Sequence, residues 1–279
     1  MNDPHVETLH YTLVSLDPGV SFNAPPLEHR TPSFSVRLDD DHLTVTLLDH
    51  YADIESARAD VDPYLEAWAI AATLGPGQRQ VRFDYERGEV IDRRPPPPGA
   101  PRSIVSAVEM NVAVGLTVGG KEELVAGTYP APPPDAFTVT EDVEALAQRW
   151  RLHREHRQPL PYLAYYALTA AEARSETQQQ GRRRRPAREE ASERLRVELA
   201  VLDKLGELSS ERGDRLTARK YRQQHMPLTS AEEEWVSATV RRLIVRLGEV
   251  AALPDGEHEW LRMSDLPPLP ATVATSDSD

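Results

Sequence analysis

Cysteine is absent from all 279 residues. That excludes a disulfide framework, a thiolate zinc site, an iron–sulfur cluster and a cysteine nucleophile. Lysine is nearly absent as well: of 32 basic residues only Lys121, Lys204 and Lys220 are lysines, and the excess of arginine, alanine and proline is the composition expected of a GC-rich bacterial genome. Long apolar runs are missing, since none approaches the roughly 18 residues that a membrane-spanning helix needs. The start, Met1-Asn2-Asp3-Pro4-His5, has no basic stretch ahead of an apolar core, so a cytoplasmic location is expected. No GxSxG elbow, HExxH pair, GxGxxG turn or EF-hand loop occurs, and the expectation is of neither cofactor nor metal.

Hydrophobic residues at 39% and charged ones at 28% describe an ordinary globular chain, while 24 prolines imply several stiff loops. A formal net charge of -13 repels polyanions at long range, so nucleic acid would be held only by a strongly segregated basic face. The length allows one large core or two modest ones, and two are expected.

Hydrophobic period divides the chain. Leu9, Tyr11 and Leu13 alternate with polar neighbours, as do Phe34, Val36 and Leu38 and, after Asp39-Asp40-Asp41, Leu43, Val45 and Leu47; the last two runs predict a hairpin. Ile54, Ala57, Val61, Leu65, Trp68, Ala69 and Ala72 share a helical stripe ending at Gly75-Pro76-Gly77, with Pro63 expected to kink it or to restart it behind Asp62. Val81, Phe83 and Tyr85 resume the strand period, Arg87-Gly88 reads as a turn and Val90-Ile91 as a return strand. Val108 to Val118 is the longest strict alternation.

After Pro130-Ala131-Pro132-Pro133-Pro134 the period becomes helical, with helices expected from Val143, over 161-174, over 188-208 and over 230-252. Either Thr229 with Glu232 or Ser230 with Glu233 caps the last. The predicted fold class is therefore α+β: residues 1-130 form an antiparallel sheet with one covering helix, 131-139 a proline-rich junction and 140-255 a bundle of about four helices. Residues 256-271 are expected as an extended strap and 272-279 as a disordered tail.

Several local patterns invite a chemical reading. Gly115 to Lys121 matches GxxxxGK, but Glu122 stands where Ser or Thr would reach magnesium, and Gly119-Gly120 reads as a hairpin turn. His153 and His156 are expected at i, i+3 on the first C-terminal helix, within a basic face set by Arg151, Arg154 and Arg157 rather than at a metal. Asp39-Asp40-Asp41-His42 reads as a polar hairpin tip. Tyr162, Tyr165 and Tyr166, which could stack a ligand, are expected to fill core and rim. Arg182, Arg183, Arg184 and Arg185 lie in a low-complexity link and are the candidates for phosphate or nucleic-acid contact.

Arg151-Leu-His-Arg-Glu-His156 and Arg219-Lys-Tyr-Arg-Gln-Gln-His225 each place a histidine a short spacer beyond an arginine. In this the helical half resembles the HEPN superfamily, compact helical bundles many of which bind or cleave RNA. The family favours a small polar residue after the arginine, where Leu152 and Lys220 stand here. The resemblance implies metal-independent ribonuclease chemistry with Arg219 and His225 as the catalytic pair: imidazole to move a proton and guanidinium to steady the phosphorane. The leading expectation is different. Recognisable cores without a convergent catalytic constellation predict a non-enzymatic interaction or regulatory module, whose helical half or sheet edge docks a protein partner or a second copy. A third class, a small-molecule sensor, draws on the clustered tyrosines and tryptophans alone.

Overall fold

The computed structural model describes residues 3–75, 77–94, 105–108, 124–173, 187–211 and 227–269. The chain divides into two compact units, 1–135 and 136–279.

In the first unit the strands are β1 Pro4–Ser15, β2 Val20–Phe22, β3 Leu27–Arg30, β4 Phe34–Asp39, β5 His42–Leu47, β6 Val81–Asp92, β7 Val105–Val108 and β8 Leu124–Ala126, with helix α1 at Ile54–Leu74. Six of them form an antiparallel sheet in the order β3-β4-β5-β1-β6-β7, and β2 pairs with β8 in a separate parallel ladder. The period-two pattern explains the layering. Leu9, Tyr11, Leu13, Val36, Leu38, Leu43, Val45 and Leu47 all lie on one face and pack with Ala57, Val61, Leu65, Trp68 and Ala72 of α1, leaving Thr, His and charged side chains on the other.

The β4–β5 hairpin closes at the paired residues Asp39 and His42, so its loop is only Asp40-Asp41. Both are left-handed, at φ 50° and 61°, the conformation that a two-residue type I′ loop demands and that Asp tolerates better than most residues. The tip is tied down: the Asp41 amide donates to Tyr129 Oη at 3.2 Å, and the Leu13 amide donates to the Asp41 carbonyl at 2.8 Å.

Asp53 caps α1, accepting from the Ser56 amide at 2.8 Å, which holds its carboxyl below the usual range. The helix runs unbroken through Pro63, so it neither ends nor restarts at Asp62. That carboxylate is engaged elsewhere, accepting from Tyr11 Oη at 2.7 Å and Arg58 Nη2 at 2.9 Å.

The expected turn at Arg87-Gly88 is not formed, because β6 passes straight through it. Gly88 serves packing instead: a Cβ there would lie 3.0 Å from the Ile54 side chain and 3.1 Å from Leu9, so the missing side chain lets the start of α1 approach the sheet. Irregular pairing between Val6 and Thr8 and between His10 and Tyr11 leaves Glu7 and Glu86 unpaired as bulge residues. The long alternation beyond Val108 lies outside the described residues, as does the Gly115 to Lys121 match.

The second unit contains α2 Glu141–Arg154, α3 Leu160–Glu172, α4 Ala187–Leu195, α5 Leu199–Glu211 and α6 Ser230–Ala252. Helix α3 packs against each of the other four. Its stripe Leu163, Ala164, Ala167, Leu168 and Ala171 is buried, as are Val143, Leu146, Ala147 and Trp150 of α2 and Val236, Val240, Leu243, Leu247 and Val250 of α6. The single helix expected over 188-208 is two. Arg196 turns left-handed at φ 51°, and the buried Val197 leaves the helix to bridge Leu261 in parallel fashion. The C-terminal segment thus docks along the break, with Leu261 and Leu266 buried.

Candidate functional site

Arg219 and His225, like Arg182, Arg183, Arg184 and Arg185, lie outside the described residues. The other sequence candidates are placed. His153 lies in the last turn of α2 with its Nδ1 3.0 Å from the Gln158 carbonyl and its ring tilted against Trp150. His156 does not share that helix: it follows the cap residue Glu155 and is left-handed at φ 57°. The i, i+3 geometry expected of the two histidines is therefore absent, since the chain must turn before Pro159 to start α3. Among the described residues no group of three or more His, Asp or Glu side chains could hold a metal ion.

The open face of the sheet carries two imidazole–carboxylate pairs. His10 Nε2 lies 3.3 Å from Glu89 Oε1 and 3.3 Å from Thr8 Oγ1. Thr12 Oγ1 donates to Glu86, whose carboxylate also lies 3.7 Å from His42 Nδ1. A hydroxyl–imidazole–carboxylate relay uses both ring nitrogens, one for each neighbour. At His10 both neighbours meet the same nitrogen, and at Glu86 the carboxylate takes the hydroxyl directly. Neither set is a relay; they are partly exposed polar pairs of small energetic weight.

The tyrosines of α3 depart from expectation. None is in the core: Tyr162 is 43% exposed, and Tyr165 and Tyr166 are half-buried. The leucine–alanine stripe already fills the inward face of α3, so residues 162, 165 and 166 point away from it. They are interlocked nonetheless. The hydroxyls of Tyr162 and Tyr166 lie 3.0 Å apart, their rings meet edge-on at 4.9 Å and Tyr165 meets Tyr166 at 5.9 Å. Arg149, from α2, sets its guanidinium 3.6 Å from the Tyr166 ring centre. The hydrogen bond to Tyr166 pushes the Tyr162 phenol above its ordinary value.

Arg149 had no signal of its own in the sequence. The tyrosines did: counting the apolar stripe 160, 163, 164, 167, 168, 171 around the helix leaves 162, 165 and 166 on the opposite side. The chain matches no protein-family model, no curated protein and no solved structure. The site's own chemistry is that of partly exposed, interlocked aromatic rings beside a cation, an arrangement able to bind through ring faces and a charge.

Proposed function

We propose that the protein is a non-enzymatic interaction module whose helical unit docks a protein partner through the tyrosine–arginine face of α2 and α3. The observation that carries this reading is the interlocked cluster of exposed Tyr162 with half-buried Tyr165 and Tyr166, and Arg149 over the Tyr166 ring. Tyrosine and arginine are enriched at the energetic centres of protein interfaces. Rings held in place by each other and by a cation lose little further freedom on binding, so more of the contact energy appears as affinity. A net charge of -13 favours a protein over a nucleic acid as the occupant.

The test compares the wild-type chain with a Tyr162→Ser/Tyr166→Ser variant by light scattering on a sizing column and by affinity capture from the native host. A self-associated species or specific co-purifying protein should be retained by the wild type and lost by the variant, with the thermal midpoint little changed. If the same species survive both substitutions, this face is not the docking site and the reading fails.

A further inference from the structure

A second feature of the helical unit is concave. Arg242, Val245, Arg246 and Glu249 of α6 and Glu259, Trp260, Leu261 and Asp265 of the C-terminal segment line a half-open cavity of about 420 Å³, within the range of small-ligand sites. Its walls are fixed. Arg246 donates to the carbonyls of Leu195 at 3.1 Å and Glu259 at 2.7 Å and pairs with Glu249 at 2.9 Å. The Leu261 amide donates to the Arg196 carbonyl at 2.8 Å, and the Met263 amide to Glu198 at 2.9 Å.

Those bonds determine which groups remain to meet a ligand. Arg246 is committed to two carbonyls and to its ion pair with Glu249, and Asp265 accepts from the Arg262 amide and from Ser264. Arg242 and the Glu259 carboxylate, both exposed, have no ion-pair partner among the described residues. Trp260 is 39% exposed, with Arg196 over its ring at 5.5 Å, and Val245 and Leu261 supply apolar wall. One available cation, one available carboxylate and an aromatic wall describe a receptor for a small zwitterion. A phosphate or other polyanion fits poorly, because the lining carboxylates Glu249, Glu259 and Asp265 outnumber Arg242, the one arginine of the lining without an ion-pair partner among the described residues.

We propose that this cavity binds a free α-amino acid with an apolar side chain: the ligand carboxylate on Arg242, its ammonium on Glu259, and its side chain against Trp260, Val245 and Leu261. Calorimetric titration of the full-length protein with L-phenylalanine and L-leucine tests it directly. Phenylalaninamide lacks the carboxylate and 3-phenylpropionate lacks the ammonium. Tryptophan emission gives a second readout, since Trp68, Trp150 and Trp235 are buried and Trp260 alone of the four faces solvent. L-phenylalanine or L-leucine should bind and shift that emission, and Trp260→Phe should abolish the shift. Arg242→Ala should weaken L-phenylalanine about tenfold or more and leave phenylalaninamide unchanged; Glu259→Gln should weaken L-phenylalanine similarly and leave 3-phenylpropionate unchanged. Absence of binding at millimolar concentration overturns the proposal, as does binding that neither substitution alters in a variant with wild-type thermal stability.

Discussion

Gly248 lies inside α6 where a helix-favouring residue would ordinarily stand. Its lack of a side chain is a packing requirement. A Cβ at this position would penetrate the Phe137 ring, and the Gly248 carbonyl accepts from the Thr138 amide at 3.0 Å, pinning the chain ahead of α2 onto the last helix. Gly248→Ala should therefore destabilise the helical unit by about 1–3 kcal/mol despite its better helix propensity. Urea unfolding checks this, and Phe137→Ala in the same chain should relieve part of the loss because the clash has one partner. His5 carries a different requirement. It is buried, stacked on His50 at 5.3 Å, and its Nε2 lies 2.8 Å from Arg93 Nη2. A guanidinium only donates, so Nε2 accepts and the ring is neutral with its proton on Nδ1. Burial first, then the charge of Arg93 and of His50, lowers the pKa from its ordinary value. Below about pH 6.5 the unfolded chain takes up a proton that the folded ring resists, so this contribution is intact above that pH and declines as pH falls. Urea midpoints at about pH 8 and about pH 5 should fall less in His5→Gln than in wild type; an equal fall assigns the acid sensitivity to other groups.

At the scale of elements, the last helix shows how a local signal is decided by three-dimensional context. Two overlapping capping boxes were possible in the sequence, and the one formed is Thr229 with Glu232. The Glu232 amide donates to Thr229 Oγ1 at 3.3 Å, and the Thr229 amide donates to Glu232 Oε2 at 2.8 Å. Thr229→Ala should cost about 1 kcal/mol in chemical denaturation, and Ser230→Ala, one residue inside the helix, only a few tenths. The β1, β4 and β5 strands, helix α1 and helices α2, α3 and α6 were legible because each buries one face, so that period and partner agree. Two features were not, and a third was legible only in part. Gly88 looks like a turn because glycine usually marks one, yet its use is close approach to Ile54 and Leu9, a contact far away in sequence. The split between α4 and α5 is dictated by Val197 pairing with Leu261, again a remote partner with no local signature. The tyrosine face was readable in outline, from the stripe opposite the leucines, but Arg149 joins it only because α2 and α3 pack together.

For the molecule as a whole, the distribution of core contacts sets where the chain can be divided. The buried cluster of the first unit runs from Val6 to Tyr129, and two bonds close it at its far end. Trp68 Nε1 donates to the Pro130 carbonyl at 3.1 Å, and Tyr129 Oη receives the amide of Asp41 at the hairpin tip. A fragment ending at residue 135, the limit of the unit, keeps both. One ending at residue 127 loses both, removes the Tyr129 ring from beside Phe22 and leaves the buried indole N–H without an acceptor, which alone costs about 1–3 kcal/mol. Against a total stability of about 5–15 kcal/mol for a domain, such a loss added to that of a buried aromatic ring is large. Fragment 1–135 is therefore expected to unfold cooperatively in urea with the tryptophan emission of a buried indole, whereas fragment 1–127 should show a much lower midpoint or no transition. Equal midpoints would place the closure of this core elsewhere than in the prolyl segment, and failure of fragment 1–135 to fold would mean that the sheet needs the helical unit for its stability.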